Sequence, residues 1–305
     1  IKKRFDCPQI EGGSAIIRRE AIPRDTFNGS LLFSEDLKLV SDVILAGGCY
    51  GVLSRSSYYY RKRLAATAAT DHGSRGYDWH FDSLTGCHKK LFDYSKQLYG
   101  EVIPYIQFVV MYDLQWRMGY DAFIADLDPG LAEDYKVQMS GLLKCISDRV
   151  ISRQRNLSLC DKLYALALRH DVSFSDVQKN LRLIGDGLYF MPPHRSLSFE
   201  QQPITRMANA IEVEKIFVHR TELHINDFHI MGTVNCLLPF DQIKLNMKVN
   251  GVTKEVPLKR WTHTGGISSF CEKDYFCFPS FEIDFSLDDQ HVSFEIEIGG
   301  VRRPA

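Results

Sequence analysis

The spacing of apolar and polar residues changes along the chain and divides it into zones. Residues 76–190 have helical spacing, whereas apolar and polar positions alternate from residue 211 onward. The stretch between them contains Pro192, Pro193 and Pro203 and has no periodicity, which is typical of a linker. The predicted domains are therefore residues 1–75, a helical region over 76–190, a linker over 191–210 and a β-rich domain over 211–305.

Several helices are predicted in the second zone. Gly100 ends a helix that begins near Phe81, and Pro104 suits the first turn of the next helix, where proline is tolerated. Asp113 and Arg117 lie four residues apart on that helix and are expected to form a stabilising ion pair. Further helices are predicted over residues 131–151, 159–169 and 171–184.

The last zone predicts about seven short strands that form an antiparallel β-sandwich. Its runs alternate apolar and polar residues, as at Ile243, Leu245 and Met247. Asn250-Gly251 lies between two such runs and is a strong hairpin signal.

The first zone predicts a helix with two carboxylates in its first turn. Ser34 lies at the N-cap position, Glu35 and Asp36 follow it, and Gly47-Gly48 ends the helix. Acidic residues are common at helix N-termini because they offset the macrodipole, by about 0.3–1 kcal/mol each, so a purely structural role is one interpretation. Short strands are predicted around this helix at residues 49–53 and 57–60, and residues 16–17 are interpreted as a short buried strand or the edge of a helix.

The order of the motifs in this zone adds a functional interpretation. A stretch with small residues, Arg18-Arg19-Glu20, Ser34-Glu35-Asp36, the helix and Tyr58-Tyr59-Tyr60-Arg61 follow one another. This order resembles the second half of a family 2 glycosyltransferase of the GT-A type. The resemblance implies an inverting transferase in which Asp36 is the general base for the acceptor hydroxyl. It also implies that Glu35 orders the local hydrogen bonds or contacts the acceptor.

Basic residues follow the three tyrosines. The resemblance implies that Arg61, Arg63 and Thr67 lie near the donor diphosphate or the acceptor, since guanidinium groups bind phosphate oxygens well. The alternative interpretation is a solvated basic end of a strand.

The helix that begins at Pro104 carries a second resemblance. Residues 105–118 read YIQFVVMYDLQWRM and resemble the helical extension of bacterial family 2 enzymes of capsule and teichoic-acid-like polymer assembly. Tyr112, Gln115, Trp116 and Arg117 are interpreted either as an acceptor-binding surface or, for Trp116 above all, as core packing of a helical bundle. The implied fold is mixed α/β and multidomain: a partial GT-A α/β remnant, a helical bundle and an antiparallel β-sandwich.

The resemblance also implies a divalent metal. In the family, a DxD motif in the nucleotide-binding half holds Mg²⁺ or Mn²⁺, and here only residues 1–11 precede the match. The metal ligands of the full enzyme are therefore expected outside this chain, no metal-binding residue is assigned, and the chain alone is expected to be inactive. Asp126-Leu127-Asp128 precedes Pro129-Gly130, so we interpret it as a loop and the start of a helix.

Composition excludes some classes of protein. Lys and Arg number 37 against 38 Asp and Glu, and a net charge of −1 does not favour a nucleic-acid partner. No apolar stretch approaches the roughly 20 residues that span a bilayer. The eight cysteines form no CxxC pair, which favours reduced thiols. A cytoplasmic protein is predicted, with any membrane association peripheral, at the inner face.

Together these features predict part of an inverting glycosyltransferase. Its donor is a nucleotide sugar, and its acceptor is a cell-surface polysaccharide or teichoic-acid-like polymer, a glycan or polyol phosphate that can be lipid-linked. The alternative is a non-catalytic acceptor-binding or oligomerisation module, with the β-sandwich as the self-association surface of a homo-oligomer. A third interpretation is an accessory region of a glycerophosphotransferase, because similar helical extensions occur beside such domains.

Overall fold

The computed structural model describes much of the chain as two compact units. The described residues are 1, 5–22, 31–53, 55, 57–59, 76–118, 127–185, 187–192, 205–209, 215–223, 227–235, 238, 240–262, 277–286, 288–289, 291–298 and 300–304. The first unit is Ile1–Asp171 and the second is Val172–Ala305. The predicted mixed α/β class is confirmed, since the described residues form both helices and antiparallel sheets.

The described part of the first unit is helical. Two stretches of π-helix, Asp78–Asp82 and Leu84–Lys89, lead directly into an α-helix. Short 3₁₀ turns occur at Gly12–Ser14 and Arg19–Ala21. The α-helices are α1 (Glu35–Gly47), α2 (Lys90–Tyr99), α3 (Pro104–Met118), α4 (Pro129–Lys144), α5 (Asp148–Ser152) and α6 (Leu159–His170).

Helix α3 is the centre of this unit's core. Tyr105, Ile106, Val109, Val110 and Leu114 are all fully buried, although they lie on several sides of the helix. A helix that is apolar around its circumference must be enclosed by other elements. The buried position of α3 explains how it can place polar side chains beneath neighbouring helices.

Local signals fix several helix ends as predicted. Gly100 has a φ of 77° and ends α2, and the side chain of Asp128 accepts a hydrogen bond from the Gly130 amide at the start of α4. Ser158 and Asp161 form a capping box at the start of α6. The interpretation of Asp128 as a helix-start residue is thereby confirmed.

Two helix predictions are wrong. Residues 131–151 form two helices, because the chain turns at Cys145 and the Ser147 amide donates instead to Gln107 Oε1, at 2.8 Å. The helix predicted over 171–184 covers only Phe174–Lys179. It begins late because Asp171, at a left-handed φ of 57°, ends the preceding helix, and it ends early because Leu181–Ile184 pairs as a strand. The alternating burial of a short strand and a helical spacing are hard to separate over four residues.

The strands predicted in the first zone are also wrong. No strand occurs in the part of residues 1–59 that the structure describes, and Ile16 is 93% exposed. The apolar side chains of Val52 and Leu53 are exposed as well, and the described parts of these runs pair with no neighbouring strand. The described residues of this zone therefore contribute one α-helix and two 3₁₀ turns.

The second unit contains one helix and three antiparallel sheets. Helix α7 (Phe174–Lys179) precedes a sheet of β1 (Leu181–Ile184), β2 (Gly187–Phe190) and β3 (Thr205–Asn209). The second sheet, in the order β11-β10-β6-β7, contains β6 (Ile243–Val249), β7 (Val252–Val256), β10 (Val292–Ile298) and β11 (Val301–Pro304). The third, in the order β4-β5-β9-β8, contains β4 (Lys215–Leu223), β5 (Asp227–Asn235), β8 (Lys259–Thr262) and β9 (Cys277–Ser286).

Period-two alternation is realised in this unit. Ile243, Leu245 and Met247 are buried on β6, and the Asn250-Gly251 turn joins β6 to β7 with both residues at positive φ, as predicted. Phe281 of β9 and Phe294 of β10 lie with ring centroids 5.9 Å apart, so the two four-stranded sheets meet at an aromatic contact. That distance is typical of a packed aromatic pair.

Candidate functional site

The start of helix α1 presents the two predicted carboxylates. Glu35 and Asp36 lie in the first helical turn and are half-buried, so both retain access to solvent. A carboxylate at this position is stabilised by the positive end of the helix dipole. The placement that the sequence predicted for these two residues is therefore the placement in the structure.

Ser34 precedes this turn but does not cap it with its side chain. Its carbonyl accepts the Lys38 amide at 3.0 Å, whereas its backbone has a φ of 62° and its hydroxyl makes no capping bond. A non-glycine residue in the left-handed region costs free energy, so it persists only where the surrounding contacts hold it there. Ser34 occupies the predicted N-cap position, but its hydroxyl binds a different set of partners instead of the first-turn amides.

Those partners form a buried polar network beneath α1. The Ser34 hydroxyl donates to Asp113 Oδ2 at 3.1 Å and accepts from Arg117 Nη2 at 3.1 Å. It also lies 3.3 Å from the Ser83 hydroxyl. Helix α3 therefore supplies the acid and the base that hold Ser34, the residue directly before Glu35-Asp36.

Arg117 is the centre of the network. Its side chain is fully buried, its Nη1 donates to Asp113 Oδ2 at 2.6 Å, and its Nε donates to the Trp79 carbonyl at 2.7 Å. The guanidinium also lies over the Trp79 ring, 4.8 Å from the centroid. Asp113 and Arg117 form the predicted ion pair. The pair is largely buried and links α3 to Ser34 and to the Trp79 carbonyl.

His88 completes the network from the π-helical turn. Its Nε2 lies 2.7 Å from Asp113 Oδ2, while its buried Nδ1 has no hydrogen-bond partner among the described residues. Burial lowers the pKa of His88 despite the nearby carboxylate. The neutral ring with its proton on Nε2 fits both observations, because it donates to Asp113 and leaves Nδ1 unprotonated.

Asp113 is the ionised member of the network. Burial alone would raise the pKa of this carboxyl, but Arg117, together with the hydrogen bonds from His88 and Ser34, outweighs burial and holds the pKa well below its usual range. One carboxylate and one guanidinium therefore balance each other in a cluster that has no other charged member in the described chain.

The Gly12–Ser14 turn lies directly against the carboxylate of Asp36. A Cβ atom on Gly12 would come within 2.7 Å of Asp36 Oδ1, and one on Gly13 within 2.6 Å of the Tyr58 hydroxyl oxygen. Only glycine allows such an approach without displacement of the neighbouring atoms. The two glycines therefore allow the turn to pack against Asp36 and Tyr58. The sequence analysis assigned no such role to Gly12 and Gly13.

The remaining predicted residues divide into two groups. Arg61, Arg63 and Thr67 lie outside the described residues, so their assignment stays a prediction. On α3, Gln115 is buried and Tyr112 is half-buried, but Trp116 is 44% exposed and packs edge-on against Tyr112 at 6.2 Å. The core position predicted for Trp116 is therefore wrong.

The described residues do not fit a metal site. In the described part of the chain, no three His, Cys, Asp or Glu side chains cluster so that they could hold a metal ion. Asp128 of the DxD string caps α4, as described above, and Asp126 lies outside the described residues. Within the residues that the structure describes, no helix is long and apolar enough to cross a membrane.

The sequence is similar to two curated bacterial proteins. Over 302 residues it is 26% identical to the minor teichoic acid biosynthesis protein GgaB of Bacillus subtilis (strain 168), a match over 95% of this chain and 31% of GgaB. A shorter match is 27% identical over 104 residues and joins 34% of the chain to 23% of GgaA, named as a minor teichoic acid biosynthesis protein of the same organism. The chain thus spans a third or less of the length of these relatives. No family model matches it.

Solved structures give weaker likenesses. The crystal structure of S. aureus TarS matches with a TM-score of 0.38 and 13% identity, over 92% of this chain and 47% of that chain. A structure of TarS 217–571 matches with a TM-score of 0.31 and 10% identity, over 67% and 58% respectively. The sequence similarity to GgaB confirms, along nearly the whole chain, the resemblance to proteins of teichoic-acid-type polymer assembly.

Proposed function

We propose that this chain is part of an inverting glycosyltransferase of the family 2, GT-A type that acts in cell-surface polymer synthesis. The observation that carries the proposal is the position of Asp36: a half-buried carboxylate in the first turn of α1, against Gly12 and two residues after the anchored Ser34. The similarity to a teichoic acid biosynthesis protein supports the same class of reaction.

Asp36 acts in this proposal as the general base. An acceptor hydroxyl attacks the anomeric carbon of a nucleotide-activated sugar, the bond to the nucleotide diphosphate breaks, and the hydroxyl proton passes to the Asp36 carboxylate. Base catalysis of this kind contributes about 10²–10⁴-fold to the rate. Glu35, one residue away, orders the hydrogen bonds around the acceptor.

The basic residues after the three tyrosines have supporting roles in this proposal. Arg61, Arg63 and Thr67 contact the departing diphosphate or the acceptor. Among the described residues no cluster of His, Cys, Asp or Glu side chains suits Mg²⁺ or Mn²⁺. In this proposal the metal of the full enzyme is held by residues outside this chain, and we assign it no step here. The acceptor is a glycan or polyol phosphate, and the protein acts in the cytoplasm at the inner face of the membrane.

Residues 211–305, within the second unit, are proposed to form a β-sandwich. Its two four-stranded sheets and the contact between Phe281 and Phe294 support that arrangement. In this proposal, copies of the protein associate through the outer surface of the sandwich. Analytical ultracentrifugation, which measures the oligomeric state, would test that role in variants with substitutions on this surface.

A transfer assay on the natural full-length protein tests the function. The protein is incubated with a panel of nucleotide sugars and a polyol-phosphate acceptor, and the anomeric configuration of the product is read by NMR. Transfer with inversion, strongly reduced in Asp36→Asn and unchanged in the exposed control Asp93→Asn, is the expected result. Retention of configuration, or an equally active Asp36→Asn protein, would reject the mechanism, and no transfer with any donor would favour a non-catalytic acceptor-binding module.

A further inference from the structure

A pocket of about 510 Å³ lies beside the Gly12–Ser14 turn in the first unit. One wall is the segment that leads to the turn, including Glu11, and Ser14 on its far side. The opposite wall is formed by Tyr112 of α3 and by Gln154 and its neighbours after α5. The volume falls within the roughly 300–1,000 Å³ typical of small-ligand sites.

The wall next to the turn is braced by hydrogen bonds. Gln9 Nε2 donates to Ser14 Oγ at 2.8 Å and to the Glu11 carbonyl at 3.1 Å. The backbone amide of Gln9 donates to the hydroxyl of the buried Tyr105 at 3.4 Å. The pocket is thus pre-formed on this side, which reduces the entropy that a ligand must overcome.

Gln154 is the least expected residue in the pocket lining. Its side chain is only 1% exposed, and its buried Oε1 has no hydrogen-bond partner among the described residues. Its Nε2 makes a single long contact with the Val150 carbonyl, at 3.5 Å. A buried acceptor without a partner costs about 1–3 kcal/mol. A ligand that draws this side chain toward the pocket and donates a hydrogen bond to its Oε1 would therefore recover free energy.

The two residues after Gln154 add exposed polar groups to the same wall. Arg155 and Asn156 are exposed, and Arg155 has no ion-pair partner in the described chain. Arg153, two residues earlier, differs: it pairs with Asp6 at 3.5 Å, and its guanidinium lies over the Phe5 ring. Arg155 is therefore the cation that this pocket offers to an anionic ligand.

The lining groups together suit one chemical class. Arg155 can bind a phosphate, Glu11, Gln154 and Asn156 can bind hydroxyl groups, and the Tyr112 ring offers an apolar face. The second carboxylate of the lining, Asp6, is paired with Arg153. A neutral sugar would leave the guanidinium without a partner, and a bare phosphate would leave the acceptors without donors. A polyol unit joined to a phosphodiester satisfies both.

The pocket is also next to the proposed base. Glu11 and Ser14 flank Gly12 and Gly13, and Gly12 touches the Asp36 carboxylate. We propose that this pocket binds a polyol-phosphate unit of the acceptor polymer and so presents a neighbouring hydroxyl to Asp36. This inference rests on the proposed function for the role of Asp36, while the binding itself can be measured without any donor.

Direct binding tests the pocket. The probe is a synthetic trimer of glycerol phosphate, titrated by calorimetry into this chain, with glycerol and inorganic phosphate as separate arms. The trimer is expected to bind more tightly than either arm. Arg155→Gln and Gln154→Leu should each weaken trimer binding by roughly tenfold or more, since each removes one hydrogen bond that involves a charged or buried group.

Arg149→Gln is the matched control. It removes an exposed guanidinium of α5 that lies outside the pocket lining, so it should change trimer affinity by less than about twofold. Circular dichroism checks that all variants remain folded. No trimer binding, equal effects of Arg149→Gln and Arg155→Gln, or phosphate that binds as tightly as the trimer would overturn the proposal.

The transfer assay separates this proposal from the proposed function. If the function and the pocket are both right, Arg155→Gln raises KM for the acceptor and leaves kcat nearly unchanged, as expected when ground-state binding is lost. Specific trimer binding by a full-length protein that transfers no sugar would reject the function and support the pocket. Transfer with trimer affinity and acceptor KM unaffected by Arg155→Gln and Gln154→Leu would reject the pocket and keep the function.

Discussion

At the scale of single residues, the network around Arg117 explains how Ser34 is held before Asp36. Its guanidinium contacts Asp113, Ser34 and the Trp79 carbonyl from a fully buried position. A buried ion pair contributes little net stability relative to an apolar pair, yet removal of one partner leaves a costly isolated charge. The network is therefore a device for position more than a source of stability.

Arg117→Met should destabilise the first unit strongly. The variant leaves the Asp113 carboxylate buried without its cation, and loss of one partner of a buried pair costs about 3–5 kcal/mol. Urea unfolding followed by circular dichroism measures the change. The double variant Arg117→Met, Asp113→Leu removes both charges and should recover much of the loss. A single variant that costs less than about 1 kcal/mol would show that the pair is not desolvated.

Gln154→Leu should have the opposite effect on stability. The buried Oε1 has no partner in the described chain, so replacement by an apolar side chain of similar size removes a desolvation cost. We expect the free energy of unfolding to stay the same or rise by about 1 kcal/mol, while binding of the trimer falls. Thermal melts and calorimetry on one sample give both values. Clear destabilisation would mean that Gln154 holds the fold rather than a ligand.

At the scale of elements, the Gly12–Ser14 turn and the start of α1 act as one unit. The close approach of Gly12 leaves no room for a Cβ atom beside Asp36. The turn therefore fixes one side of the carboxylate, while Ser34 fixes the backbone from which it projects. Both elements must be in place for Asp36 to keep its orientation.

Gly12→Ala should reduce activity more than stability. The new methyl group would lie 2.7 Å from Asp36 Oδ1 and must push that carboxylate aside. Misplacement of a reacting group by about 1 Å can cost 10²-fold in rate, so we expect a loss of that order in the transfer assay. Gly47→Ala is the control, because a Cβ there meets nothing within 4 Å. Equal activity of the two variants would contradict the role given to the turn.

The sequence predicted elements well where local chemistry sets their ends. Gly100, the Asp128 cap and the Asn250-Gly251 turn behave as expected because their effects depend on near neighbours alone. Short apolar runs are different: residues 181–184 become a strand because β2 lies beside them, whereas residues 49–53 form none. Such outcomes depend on tertiary partners that no local pattern contains.

At the scale of the whole molecule, the first unit should show a pH dependence that comes from His88. Burial lowers its pKa in the folded state, while the unfolded residue titrates near about 6.5. Below that pH the unfolded chain takes up a proton that the folded chain refuses, so stability falls as pH decreases. Asp113 does not titrate in this window, because its pKa is depressed, and its contribution is lost only at much lower pH.

The free energy of unfolding should therefore decrease by up to about 1.4 kcal/mol per pH unit below about pH 6.5. His88→Gln keeps a donor for Asp113 without a titratable ring, and it should flatten the curve. The exposed His291→Gln serves as control and should leave the slope unchanged. Urea unfolding at a series of pH values gives the slopes. A wild-type slope retained in His88→Gln would assign the effect to another group.

The site was only partly accessible to sequence reasoning. Helical spacing placed Glu35 and Asp36 correctly, since a first turn is a local property. The polar network contains Ser34, His88 and Arg117, and its Ser34–Arg117 hydrogen bond joins residues 83 positions apart. The only part of the network that the sequence predicted was the Asp113–Arg117 ion pair. In the sequence, the available sign was a set of polar residues on an otherwise apolar helix, above all Arg117. The structure shows that Arg117 is buried and that α3 therefore holds a polar network as well as apolar core contacts.

The role of Asp36 as general base is tested by kcat for glycosyl transfer by the full-length protein and by Asp36→Asn, with acceptor affinity and unfolding measured on the same samples. We expect kcat to fall by about 10²–10⁴-fold while acceptor affinity and the free energy of unfolding stay near their original values. Asp36→Asn protein that binds the acceptor and transfers at the original rate would contradict that role, and would return Glu35 and Asp36 to the role of acids at a helix N-terminus.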